Sequence, residues 1–375
     1  MLLHLITSFC LLYCALWLAW LSYITWRLAT RAGAPAPLPL PVPLPRVSIL
    51  IAARNEEAAL PRCLASVRAL AYPPHLLEVL VGDDASTDRT RAAAEAAMQG
   101  FEGSFQLLTI TDTLGSARGK ANVLAHLAHQ ATTDYFLITD ADIALPPTWV
   151  QCLLAHAAPQ VGTVTGLTVV QGPGLLACLQ GLDWLLSLSF IQVASDAGQP
   201  MTAMGNNMLV TRAAYRATGG YEALPFSITE DFALFEAVNA CGYGYRQLFE
   251  PSVRAVSLPA SSWGALLRQR LRWMRGVAAL PPKVQVALIL FSCYWLAVLG
   301  LLATGRASWA LGAVLLKIAL QGVTALAATR RAGLPMPAWY LVVGFEFYSL
   351  ALTPHLTLLR LLGKKGVEWK GRQYS

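Results

Sequence analysis

Charge is what this chain lacks most: only 13% of its 375 residues are Asp, Glu, Lys or Arg, while 55% are hydrophobic. So little charge excludes an ordinary water-soluble enzyme of this length. The deficit is concentrated in segments. Residues 2–26 hold no acidic or basic side chain apart from His4, and residues 284–305 hold none. Either run exceeds the ~20 residues a helix needs to cross a bilayer. Cysteine is sparse in useful patterns as well. The seven cysteines are odd in number and form no CxxC pair, which excludes a disulfide framework or a zinc ribbon and fits a reducing compartment. The histidines form no metal-spaced pair. The net charge of +7 comes from basic residues beside the apolar runs and in 268–275, so membrane flanks explain it better than nucleic acid does.

The first apolar run has neither the basic start nor the small-residue exit of a cleaved signal peptide. Tyr13 is too bulky to precede a lipoprotein cysteine at Cys14. Residues 1–27 therefore read as a retained transmembrane anchor. Arg27, Arg31 and Arg46 follow it, which places the next segment in the cytoplasm. Proline at 35, 37, 39, 41, 43 and 45 makes 28–45 a polyproline-like spacer that lifts the next domain off the membrane.

From 46 to 260 the pattern alternates. Strands are expected at 47–52, 77–81, 107–110 and 135–139, and helices at 56–70, 88–98 and 120–130. That alternation implies an α/β domain with a doubly wound, mostly parallel sheet, whose ligands gather beyond the strand C-termini. Within it, 174–195 is apolar except for Asp183 and reads as an in-plane membrane helix, since a span there would split the acidic clusters across the bilayer. Residues 261–282 read as an amphipathic interface helix, and 283–360 as about three C-terminal spans. The expected spans are 284–305, 307–329 with Lys317, and 338–359 with Glu346. A basic tail occupies 361–375.

Against this apolar background three acidic clusters stand out: Asp83-Asp84, Asp140 with Asp142, and Glu230-Asp231. Carboxylates at the ends of buried strands are costly unless they meet cations or hydrogen-bond donors. Asp140 and Asp142 are two apart, so in extended chain they point the same way, and their hard oxygens suit Mg²⁺ or Mn²⁺. Asp84 either binds a ligand N–H or steadies a turn, as Asp83 and Asp88 can. Glu230-Asp231 either caps the helix expected at 232–240 or supplies a general base. Lys120, after Gly119, either reaches an anionic ligand or starts a helix. Gln269, Arg272 and Trp273 share one helix face, suited to a diphosphate or to the membrane interface. Glu346, inside an apolar segment, calls for a function or a partner.

Taken in order, residues 47–57, 83–88, Gly119-Lys120, Asp140 and Asp142, Thr229-Glu230-Asp231 and the QxxRW stretch at 269–273 resemble family-2 glycosyltransferases over roughly 46–276. The similarity is to the membrane branch that holds ceramide glucosyltransferases, bacterial carotenoid and lipid glycosyltransferases, and the larger cellulose and hyaluronan synthases. Ala52 and Ala85 stand where that family often has Pro and Gly.

The resemblance implies a GT-A fold and an inverting, metal-dependent transfer of one sugar from a nucleotide-sugar, UDP-linked, to a membrane lipid. The transfer is expected at the cytoplasmic face of a bacterial inner membrane. It implies Asp231 as the base, with Glu230 beside it, and Asp142 on the metal. It places Ala52, Glu56, Asp84, Lys120, Asp140, Gln269, Arg272 and Trp273 around the nucleotide-sugar. The metal would neutralise the departing diphosphate. Gly205-Asn206-Asn207 resembles a family segment near the acceptor and otherwise reads as a turn. The bilayer is the expected partner, with no nucleic acid and no obligate protein. A processive polysaccharide synthase and a non-catalytic nucleotide-sensing membrane protein are the alternatives.

Overall fold

The strand β1 (Val47–Ala53) is an almost unbroken apolar run, buried along nearly its whole length, as a strand covered on both faces must be. In the computed structural model, which describes residues 1–31, 36–199, 201–277, 282–362, 367–369 and 372–374, it lies at the centre of the sheet. Helix α1 (Leu2–Thr30) precedes it. After it come α2 (Leu60–Arg68), β2 (Leu77–Asp83), α3 (Thr90–Met98), β3 (Ser104–Thr109), α4 (Lys120–Gln130) and β4 (Tyr135–Asp140). Next are α5 (Trp149–Leu154), β5 (Val161–Thr165), β6 (Thr168–Val170), α6 (Leu175–Asp196), β7 (Asn207–Thr211), α7 (Arg212–Ala217) and α8 (Glu230–Ala240). β8 (Gly244–Gln247) and β9 (Ala255–Ser257) lead to the helices α9 (Trp263–Val277), α10 (Pro282–Ser292), α11 (Tyr294–Ala303), α12 (Ala307–Ala332) and α13 (Trp339–Leu362). A short antiparallel pair, β10 (Val367–Trp369) and β11 (Arg372–Tyr374), closes the chain. Residues 32–35 of the spacer, 278–281 of the expected interface helix, and Lys364, Lys365 and Lys370 of the basic tail lie outside the described residues.

The chain separates into two units. One comprises Met1–Gly33, Gly172–Ala194 and Ala260–Lys364; the other comprises Ala34–Gln171, Ser195–Pro259 and Lys365–Ser375.

In the second unit a seven-stranded sheet runs in the order β3-β2-β1-β4-β7-β5-β8. The first four strands are mutually parallel, with Ala52 level with both Gly82 and Asp140, and Ala53 level with Asp83. The sheet is mostly parallel, as the alternation predicts. The reversed strand β7, antiparallel to both β4 and β5, is an addition the sequence pattern does not reveal. Strand order turns back at β1, with β2 on one side and β4 on the other, and such a reversal opens a crevice at the strand C-termini.

Two expectations are corrected here. Helix α2 starts at Leu60, four residues later than its periodicity suggests, because 55–57 is tied to the 86–90 turn. Asn55 N–H donates to Ser86 Oγ (2.9 Å), Glu56 N–H to Thr90 Oγ1 (2.7 Å) and Glu57 N–H to Asp88 Oδ2 (3.1 Å). The described part of the proline-rich spacer does not stand off as a free rod. Leu38 N–H donates to the Ala155 carbonyl at 2.7 Å, and Leu40 and Leu44 pack on the core of the second unit. Leucines between the prolines gain more by burial there than in water.

In the first unit, α1, α6, α12 and the 339–359 stretch of α13 are long and apolar enough to cross a membrane. The apolar run 284–305 is not the single helix expected. It forms α10 and α11, which meet at Cys293. The cause lies in α1: Tyr13 Oη–H donates to the Leu290 carbonyl, and Trp17 Nε1–H to the Phe291 carbonyl (3.0 Å). Those are acceptors an uninterrupted helix would need for Tyr294 and Trp295. Glu346 is paired, which meets one of the two options for an acid in an apolar segment. Lys317 Nζ contacts its carboxylate, donates to Gln321 Oε1 at 3.1 Å, and lies 5.5–5.9 Å from the ring centres of Trp17, Tyr294 and Trp295. A buried charge stripped of its partner typically costs about 3–5 kcal/mol. Lys317→Met should therefore lower the thermal midpoint of the protein in detergent clearly, and adding Glu346→Gln should recover most of the loss. Equal destabilisation in the single and double variants would show that the pair is not coupled.

Candidate active site

Helix α4 begins at Lys120 because Gly119, at φ 56° and ψ −131°, holds a backbone turn that side-chain-bearing residues avoid. The turn delivers the lysine to the acidic groups. Its Nζ lies 2.6 Å from Asp140 Oδ1, at the end of β4, and 2.8 Å from Glu230 Oε1, in the first turn of α8. Burial alone would push the ammonium down, but Asp140, Glu230 and Asp231 together hold it well above its usual value. Lys120 opens a helix, as one of its two sequence readings has it, and its ammonium meets two carboxylates of the protein itself.

Asp231 accepts a hydrogen bond from Gly205 N–H at 2.9 Å and one from its neighbour Phe232 N–H at 2.8 Å. Burial, followed by the charge of Glu230, raises its pKa to about 6, against the opposing pull of Lys120 and the two N–H groups. Glu230 and Asp231 also occupy the first turn of α8, where negative charge suits the helix dipole. Gly205 is sterically required: a Cβ there would fall 2.5 Å from Asp231 Cβ.

Asp83 and Asp84 end β2 and are both buried. Asp83 Oδ1 accepts Ser86 N–H at 3.2 Å, a turn role. Asp84 Oδ2 lies 3.8 Å from Arg54 Nη1. Ala85 has a φ of 52°, the left-handed region where the resembled family places Gly. Ala52 and Glu56 stand at and just past the end of β1, both partly buried. Asp142 is half-buried in the turn after β4, and Arg62 fixes that turn by donating to the Asp142 and Val256 carbonyls, each at 3.0 Å. This donor set fits a hard divalent cation. Within it, Asp140 is matched by Lys120.

Several residues escaped the sequence reading. Arg62 gave no signal, being one arginine on an ordinary helix. Asn207, which the sequence marked only as part of 205–207 and not for this role, is fully buried, accepts Trp149 Nε1–H at 2.7 Å and donates to the Leu167 and Val253 carbonyls at 2.9 and 2.8 Å. The fold also gathers Cys152, His156 and Glu250, whose ligand atoms lie within 4.8 Å of one another, although no spacing announced them. The Cys152 thiol donates to Glu250 at 2.9 Å.

In the first unit, Gln269, Arg272 and Trp273 are partly buried on α9. The residue that fixes this helix is one the motif skips. Arg270 Nη2 lies 2.5 Å from Asp183 Oδ2, which also accepts Tyr348 Oη–H at 3.3 Å. Its guanidinium stacks 4.7 Å from Trp273 and 5.4 Å from Trp184, and the two indoles stand 4.7 Å apart.

A central parallel sheet with acidic groups at the C-terminal ends of β2 and β4, with four potential membrane spans among the described residues, defines a membrane protein of GT-A fold. Among solved structures, a mannosyltransferase of Pyrobaculum calidifontis, determined in complex with GDP-Man and Mn²⁺, shares this fold with a TM-score of 0.58 and 21% identity. The match covers 87% of this chain and 98% of that one. The sequence profile of glycosyl transferase family 21 matches residues 3–375, and the chain belongs to that family. It is 27% identical over 234 residues to the beta-monoglucosyldiacylglycerol synthase of Synechocystis, covering 62% of this chain and 47% of the relative. It is 26% identical over 234 residues to the poly-beta-1,6-N-acetyl-D-glucosamine synthase of Staphylococcus epidermidis, covering 61% and 54%. The chain thus spans about half the length of the curated relatives it matches.

Overpacking a filled site typically costs about 1–3 kcal/mol. Gly205→Ala should lower stability by that order in thermal unfolding, because Asp231 has to move. An unchanged midpoint would mean the 205–206 turn yields instead.

Proposed function

We propose that this protein is an inverting, metal-dependent glycosyltransferase that moves one sugar from a nucleotide-sugar to a membrane lipid at the cytoplasmic face. The observation that carries the reading is Asp231: a carboxylate held by two backbone N–H groups, raised to about 6, next to a glutamate already neutralised by a lysine. A base with a pKa near working pH is suited to take a proton from an attacking hydroxyl. Asp231 accepts the acceptor's proton as its oxygen attacks the anomeric carbon, and the nucleotide leaves from the opposite face in a single displacement. Asp84 takes the uracil N–H, and Asp140 the ribose side. Ala52 and Glu56 border the base from β1, while Lys120 keeps Asp140 and Glu230 in place. Asp142 would hold Mg²⁺ or Mn²⁺, which supplies charge neutralisation for the departing diphosphate. The family resemblance assigns Arg272 to that diphosphate, Gln269 to the nucleotide-sugar and Trp273 to the acceptor end.

The lipid acceptor is favoured by the apolar helices and by the Synechocystis relative's glycolipid activity. A processive polysaccharide synthase is the second reading, favoured by the Staphylococcus epidermidis relative. The donor panel should include both UDP- and GDP-sugars. Purified protein in lipid, given labelled nucleotide-sugar and Mg²⁺ or Mn²⁺, should yield an organic-extractable glycolipid, and excess chelator should silence it. A labelled high-mass polymer in the aqueous phase would establish the synthase reading, and full activity in chelator would remove the metal role.

Asp231→Asn should lower kcat by ~10²–10⁴-fold while nucleotide binding stays nearly intact. In the wild type, kcat/KM should fall as pH drops below about 6, since only the ionised form of Asp231 accepts a proton. A variant that binds nucleotide poorly yet turns over normally at saturation would make Asp231 a binding residue.

A further inference from the structure

Tyr221 is 3% exposed, yet its hydroxyl finds no hydrogen-bond partner among the described residues. A buried O–H left unpaired costs free energy that phenylalanine would not incur. Its position is rigid. Gly219 and Gly220, at φ 79° and 74°, turn the chain sharply ahead of it. Its backbone N–H donates to Tyr215 Oη at 3.1 Å, and the two rings meet edge-on at 5.7 Å. The hydroxyl therefore cannot swing away to find water.

Tyr221 lines a small, partly open pocket with Ala117, Arg118, Phe226, Ser227 and Glu230. The chemistry of these walls is selective. Glu230 is neutralised by Lys120 at 2.8 Å. The Arg118 guanidinium is engaged by the Gly115 and Ala117 carbonyls at 3.1 and 2.7 Å. What remains is apolar surface from Ala117 and Phe226 interleaved with the neutral hydroxyls of Tyr221 and Ser227. A phosphate would want uncommitted cations, and an acyl chain would want no hydroxyls. A sugar ring presents C–H faces and hydroxyls together, which suits both kinds of wall. Glu230 connects the cavity through Lys120 to Asp140, the group assigned above to the donor.

We propose that the Tyr221 hydroxyl hydrogen-bonds a ring hydroxyl of the transferred sugar, and that the cavity it lines with Phe226, Ser227 and Glu230 is the subsite that selects among nucleotide-sugars. This rests on the transferase reading above. Burial first, then the charge of Glu230, keeps the phenol protonated far above its usual range, so it is available as a donor.

Tyr221→Phe tests it without endangering the fold, because only an unpaired group is removed, and the thermal midpoint should stay level or rise. Binding of UDP, GDP, UDP-glucose, UDP-N-acetylglucosamine and GDP-mannose is measured on the full-length protein in detergent, wild type beside variant. For the sugar nucleotide that the wild type transfers, affinity should fall by about 2- to 10-fold, the worth of one hydrogen bond. Affinity for the bare nucleotide should not change, and KM for the donor should rise while that for the acceptor stays fixed. Unchanged sugar-nucleotide affinity, an equal loss for the bare nucleotide, or a change confined to the acceptor KM overturns the subsite while leaving the transferase reading standing. A wild type that transfers none of these sugars sinks the transferase reading, and the subsite with it.

Discussion

The ammonium of Lys120, 2.6 Å from Asp140 and 2.8 Å from Glu230, is the contact on which the second unit's site depends. Three carboxylates brought together repel one another unless a cation stands among them. Burial and the charge of Glu230 raise Asp231 to about 6, and the lysine holds that rise in check. The contact draws on three separate elements: Gly119 turns the chain into α4, β4 carries Asp140 to its C-terminal end, and α8 begins with Glu230. Loss of the lysine would leave both acids without their cation.

The same economy of space governs the walls of the site. Gly205 leaves room for Asp231 and donates to it, while the two residues after it hold the framework. The Asn206 carbonyl accepts Thr139 Oγ1–H at 3.0 Å, and its side-chain oxygen accepts Thr168 Oγ1–H at 2.9 Å. Asn207 binds α5 and two loops through its buried amide. Gly205-Asn206-Asn207 thus begins with the turn that one reading of its sequence suggested, and its first residue donates to Asp231. Satisfied buried networks of this kind rigidify what they hold, as the role proposed for Asp231 requires.

The first unit meets a different constraint. Its helices are apolar enough to sit in lipid, so each polar group inside them needs an internal partner. Lys317 and Glu346 neutralise one another within a ring of aromatics, and Asp183 answers Arg270 and Tyr348. The second cluster also clamps Trp273 between Arg270 and Trp184. The QxxRW helix is therefore fixed by charges that a motif comparison treats as filler.

Periodicity and composition alone determined the sheet's parallel half, the position of α4, the acidic groups at the ends of β2 and β4, and the apolar helices. Each of these follows from local rules: alternating apolar runs, turn glycines, and runs too long and uncharged for water. Contacts between residues far apart in sequence decided the rest. The reversal of β7, the late start of α2, the break at Cys293, the pairing of Glu346 with Lys317 and the meeting of Lys120 with two acids all hinge on partners 20 or more residues away. No local pattern encodes such a partner, because the hydrogen bond or charge that selects it exists only once the chain has folded.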